Sequence, residues 1–149
     1  MTMQVDPAAL RVFVYQSLIA PAHMPMASDV AAHFGVTRDE AIEAIRGADI
    51  GKTLLPDPRT GEIWMAGPFS TRPTAYQVTA EDRRWWANCA WDMLGVAALV
   101  GESVGISARC TDCGDVIAFQ LAPNDDTVPD AVVHFLLPAR RWYEDIGFT

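Results

Sequence analysis

The sequence predicts an α+β fold in which an amino-terminal, three-helix winged-helix-like module is followed by a long helix packed on a small antiparallel sheet. Three observations predict it. Apolar residues recur at helical spacing in three runs before residue 48, a hairpin pattern follows at 54–65, and the second half sets one amphipathic stretch before three runs of β-favouring residues. The implied organisation is 1–66 for the module, 67–73 for a linker and 74–149 for the α+β core.

Leu10, Phe13, Val14 and Leu18 share a helical face behind Pro7, which suits a first-turn position, and Pro21 and Pro25 close that helix. A second short helix spans about Ser28 to Phe34, with Val30, Ala31 and Phe34 inward and Gly35 as its stop. Thr37-Arg38-Asp39-Glu40 has the form of a capping box, opening a third helix that turns Ala41, Ile42 and Ile45 to the core; Gly47 weakens its end. Leu54-Leu55, the turn signal Asp57 to Gly61 and Ile63-Trp64-Met65 read as a β-hairpin. Gly67 to Pro73 then separates the module from the rest.

Thr79 with Asp82 reads as another helix cap, with the helix running to about Val100 and stopping at Gly101. Within it Gly95 marks a bend or the close approach of another backbone. Strands are predicted at 103–109, 115–121 and 130–137, with Cys110 to Asp115 as the turn between the first two. Pro138 ends the last, and Ala139 to Asp145 begins a short helix.

Length and composition bound the function. A chain of 149 residues, 50% hydrophobic, can bury a real core. Lys and Arg number 6 against 8 Asp and Glu in residues 1–73, and 5 against 11 in 74–149. Phosphate-backbone binding lacks its electrostatic drive, and the third helix, with Asp39, Glu40 and Glu43 against Arg38 and Arg46, repels phosphate. Nucleic acid is therefore not an expected partner; a packing or dimerisation role suits the module better, and a homodimer is compatible with it. No basic-then-apolar leader precedes Pro7 and no apolar run spans a bilayer, so a soluble, cytoplasmic protein without a membrane partner is expected. Three cysteines, an odd number, then fit reduced thiols.

Cys89 and Asp92 stand three residues apart, so one helical turn presents a thiol and a carboxylate on the same face. The predicted stripe Trp85, Cys89, Asp92, Val96 is otherwise apolar. A carboxylate there needs a partner, Arg109, Arg140 or Arg141, or serves proton transfer, because desolvation raises its pKa. Cys110-x-x-Cys113-Gly114 resembles half of a zinc ribbon, with Cys89, His134 and carboxylates as further ligand candidates; the plainer reading is a reduced turn with Cys110 in the core. His134 reads as a core or edge residue of its strand, and Trp85, Trp86 and Trp91 either shield a pocket or simply fill the core.

At these residues the sequence resembles the organomercurial (alkylmercury) lyase family. The likeness rests on the module, on Cys-x-x-Asp within Trp86 to Leu94, on the apolar Ala97 to Gly101 and on Ser107-Ala108-Arg109-Cys110. The resemblance implies protonolysis of a carbon–mercury bond, with Cys89 as a thiolate for the soft ion, Asp92 as proton carrier and Cys110 as a structural position. It implies mercury as substrate and product, a small organometallic ligand as partner and no required cofactor, with zinc open at the Cys110–Cys113 turn. A second catalytic cysteine is expected in a segment following Trp142 to Thr149, where the sequence given ends; Cys113, outside the family's positions, is the substitute. The alternatives are a thiol-based binder of mercury, zinc or copper using Cys89 with Cys110 or Cys113, and a regulatory protein acting through its winged-helix-like module.

Overall fold

Asp6 opens the first helix, α1 (Pro7–Ile19): its carboxylate accepts the Ala9 N–H at 2.9 Å, and Pro7 lies in the turn where no donor is required. Leu10, Val14 and Leu18 form its buried stripe. α2 (Ala27–Phe34) ends at Gly35, whose φ of 66° lies in the left-handed region that glycine adopts without strain. At α3 (Arg38–Gly47) the expected capping box is present: Thr37 Oγ1 accepts from Glu40 N–H at 3.2 Å, and the Glu40 carboxylate accepts from Thr37 N–H at 2.8 Å. The hairpin follows as β1 (Leu54–Pro56) and β2 (Ile63–Ala66), antiparallel across the Asp57–Gly61 turn. Glu62 fastens it to the helices, accepting from Ala27 N–H at 2.7 Å and from Arg38 at 2.6 Å. The computed structural model describes residues 4–48, 53–125 and 129–147.

The rest is built on one antiparallel sheet. β3 (Phe69–Ser70), β4 (Tyr76–Ala80), β5 (Arg83–Ala87), β6 (Val104–Arg109) and β7 (Val116–Leu121) join the hairpin in the order β1-β2-β3-β5-β4-β6-β7. Residues 67–73, expected as a linker, contain β3, which pairs with β2 on one side and β5 on the other. The ladder therefore runs unbroken from the hairpin to β7. α4 (Ala90–Val100) lies over β4, β5 and β6, buries Met93, Val96 and Ala97, and stops at Gly101 with φ 73°.

Two expectations are corrected. Residues 79–89 are not the first half of a long helix: they complete the β4–β5 hairpin, joined through Glu81 and Asp82. Val78, Ala80, Trp85 and Ala87 are buried while Thr79, Arg84 and Trp86 are less so, a period of two that the β-favouring Thr and Trp residues support. Trp85 is thus a strand residue, its indole donating to Leu18 O at 2.6 Å and tying α1 to the sheet. Likewise 130–137 is not a strand. It pairs with no strand among the described residues, Val132 is 90% and Leu136 75% exposed, and His134 is exposed rather than core.

Candidate active site

Cys89 is the residue before the first turn of α4, in extended conformation (φ −148°, ψ 178°), and Asp92 lies in that turn. The strand β5 delivers the thiol and the helix delivers the acid. They remain neighbours, because a cap residue and the third helical residue face each other across the open helix end. Burial pushes the Asp92 carboxyl above its ordinary value, opposed by hydrogen bonds from the Asn88 side chain and from Cys89. Burial also raises the Cys89 thiol; the Asp92 charge adds to this, and the N–H groups of Asp92 and Trp91 at the helix end oppose it. Both effects keep a proton on the pair. None of the three arginines considered from the sequence contributes to the Asp92 carboxyl; Arg109 donates to Gly114 O at 3.3 Å and Arg141 pairs with Glu144 at 2.9 Å.

Asn88 sets the position of Cys89. Its N–H and side-chain Nδ2 both donate to Pro68 O, at 3.2 and 3.1 Å, and Nδ2 also reaches Phe69 O at 3.3 Å. Behind that loop Tyr15 donates to Gly67 O at 2.6 Å, so α1 fixes the same backbone from its far side. Gly95 packs face-on against it: an added Cβ would lie 3.1 Å from Pro68 Cβ and 3.2 Å from Pro68 Cγ. Gly95 thus admits the Pro68 ring, a side chain rather than the backbone expected there.

Cys89, Asp92 and Asn88 open into a cavity of about 390 Å³. One wall is the β1–β2 hairpin, with Leu55, Trp64 and Met65; another is the stretch Ser70 to Thr74; the roof comes from Phe135, Trp142, Tyr143, Ile146 and Gly147. Phe135 and Trp142 pack with ring centres 5.0 Å apart and planes tilted by 41°, and Trp142 Nε1 donates to Leu137 O at 2.9 Å. Gly147 closes the roof on Trp64, where an added Cβ would sit 2.7 Å from Cη2. Arg72 pairs with Asp57 and stacks over Trp64 at 4.9 Å, placing a cation at the wall. The hairpin wall and the aromatic roof suit an apolar guest.

Cys89 and Asp92, singled out from the sequence, are therefore together in the cavity, whereas neither Cys110 nor Cys113 lines it. Those two share the β6–β7 turn, Cys113 exposed and Cys110 half-buried. Of the aromatic residues considered as a shield, Trp85 is core and Trp91 is 57% exposed; Trp64 and Trp142 take that place. Arg72 and the roof residues carried no local signal. Only the Asn immediately before a helix-capping position hinted at a role for Asn88.

A thiol hydrogen-bonded to a half-buried carboxyl thus faces a cavity with an aromatic roof on an antiparallel α+β scaffold. The model of the alkylmercury lyase family, MerB, matches residues 69–147, just over half of the sequence, and the chain belongs to that family. A solved structure described as the mercury-bound form of MerB2 shares the fold with a TM-score of 0.59 at 18% identity, the match covering 77% of this chain and 55% of that one. The chain thus spans little more than half the length of that relative.

Proposed function

We propose that this protein cleaves carbon–mercury bonds of organomercurials by protonolysis, with Cys89 as the thiol that takes the metal and Asp92 as the proton carrier. Family membership supports the reaction class, and the observation that carries the residue assignment is the Cys89–Asp92 contact at the floor of an apolar cavity. With the thiol raised, the resting pair holds its proton on sulfur, hydrogen-bonded to the carboxylate. An incoming R–Hg–X loses X⁻ as the Cys89 sulfur–mercury bond forms, and the thiol proton passes to Asp92. Asp92, whose neutral form is favoured by burial, then protonates the carbon; R–H leaves with the electron pair of the carbon–mercury bond, and Hg²⁺ stays on Cys89 sulfur beside the Asp92 carboxylate. The apolar walls hold R and exclude competing water.

The test is benzene release from phenylmercury acetate, followed by gas chromatography. Cys89→Ser and Asp92→Ala are each expected to lower it at least a hundredfold, with Asp92→Ala still forming the sulfur–mercury adduct by mass. Benzene release by Asp92→Ala at the normal rate would remove Asp92 from the mechanism. A second reading, stoichiometric mercury binding without cleavage, is favoured by the single thiol among the described lining residues; adduct formation by the unaltered protein with no benzene would establish it.

A further inference from the structure

The Cys110–Cys113 turn is built more tightly than a chance pair of thiols. Cys110 N–H donates to Asp115 O at 2.8 Å and Gly114 N–H returns to Cys110 O at 2.9 Å, closing the loop, while Gly114 takes φ 77°, which glycine tolerates. Within it the N–H groups of Cys113 and Asp112 are directed at Cys110 sulfur, and the Cys113 thiol lies in hydrogen-bonding contact with it. Two sulfurs thus converge on one exposed turn. No group of three or more His, Cys, Asp or Glu able to hold a metal exists among the described residues, so the pair offers two sulfurs and no more. Zinc in a closed site takes four ligands, whereas two thiolates alone suit a soft ion content with low coordination.

The sheet register brings this turn to the end where Cys89 lies. Gln77 pairs with Trp86 and Tyr76 with Ala108, so Ala87 and Ala108 flank Tyr76 in one row, two strand spacings or about 10 Å apart. Cys89 follows Ala87 by two residues, and Cys110 follows Ala108 by two.

We infer that Cys110 and Cys113 form a second, bidentate thiolate site for a soft metal ion, and that it accepts Hg²⁺ released at Cys89. The second clause rests on the lyase reading; the first does not. In the transfer two new sulfur–mercury bonds form at Cys110 and Cys113 while the Cys89 sulfur–mercury bond breaks. Of the two displaced thiol protons one returns to Cys89 and the other goes to solvent, leaving the Cys89 thiol and Asp92 carboxylate ready again. No redox change occurs.

Mercuric chloride added to Cys89→Ser tests the site without reference to catalysis. One Hg²⁺ per monomer with two sulfur neighbours by X-ray absorption is expected, and Cys89→Ser/Cys113→Ser should lose that signature. Absence of two-sulfur coordination in the first variant, or its persistence in monomers of the second, overturns the site. For the transfer, one equivalent of phenylmercury acetate is supplied with no added thiol, and after benzene release the sulfur neighbours of Hg²⁺ are read by X-ray absorption. Two-sulfur coordination is expected in the unaltered protein and its loss in Cys113→Ser, with equal rates of benzene release; the same coordination in both overturns the transfer. Benzene from neither protein would instead sink the lyase reading, and the mercuric chloride result would stand by itself.

Discussion

Asp92 is held where its neutral form is favoured, and that has a measurable consequence for stability. A carboxyl whose folded pKa is raised binds its proton more tightly in the folded chain than in the unfolded one. Its contribution is complete below the ordinary carboxylate value of 3.8 and is lost as pH rises through the higher folded value. Asp92→Asn, neutral at every pH, should therefore unfold at the same temperature as the unaltered protein near pH 3 and at a higher one at pH 7; a gap that instead narrows toward neutrality contradicts the assignment. The same residue should lose catalysis in Asn form, so stability and activity would move in opposite directions. Cys89 and Asp92 were legible because residues three apart stay adjacent whether both lie in a helix or one caps it. Asn88 and Tyr15 were not, since their use depends on Gly67, Pro68 and Phe69, which no local pattern ties to them.

At the level of elements, the helices of the first half follow from local signals: Thr37 with Glu40, Gly35, and apolar side chains at helical spacing. The β4–β5 hairpin did not announce itself. Trp85, Cys89, Asp92 and Val96 fit a period near 3.6 as well as Val78, Ala80, Trp85 and Ala87 fit a period of two, and the capping pattern at Thr79 tipped the reading. Long-range pairing with β3 and β6 decides for the strand. Segment 130–137 erred in the other direction, a β-favouring run that pairs with neither edge strand of the sheet, β1 or β7. α4 carries its own test at Gly95. An alanine would gain roughly 1 kcal/mol of helix propensity against a contact with Pro68 that must yield by a few tenths of an ångström. Valine exceeds that allowance: Gly95→Val is expected to destabilise by about 1–3 kcal/mol in chemical denaturation. It should also slow benzene release, because Pro68 O is an anchor of Asn88.

The whole molecule makes the cavity, since its floor, walls and roof come from residues as distant as Leu55 and Gly147. No helix among the described residues is long and apolar enough to cross a membrane. α3 places both of its arginines in ion pairs, Arg38 with Glu62 and Arg46 with Glu43. The roof is the part whose loss should be read in binding rather than in folding. Trp142 is half-buried and outside the main core, so Trp142→Ala should leave the unfolding temperature nearly unchanged. The KM for phenylmercury should rise roughly 5- to 30-fold, corresponding to about 1–2 kcal/mol of lost apolar contact. An unaltered KM would mean that the aryl group does not lie beneath it.

The sequence by itself determined the starts and stops of α1 to α3, the stop of α4 at Gly101, the two outer hairpins and the Cys89–Asp92 adjacency, because each depends on residues within a few positions of one another. The tertiary structure alone decided that β3 joins the hairpin to the rest of the sheet, that Trp85 is a strand residue, that the cavity is roofed by Phe135 and Trp142, and that the Cys110–Cys113 turn lies at the Cys89 end of the sheet. Those features depend on which strands pair and in what register, and the free energy that selects a register is shared among contacts far apart along the chain.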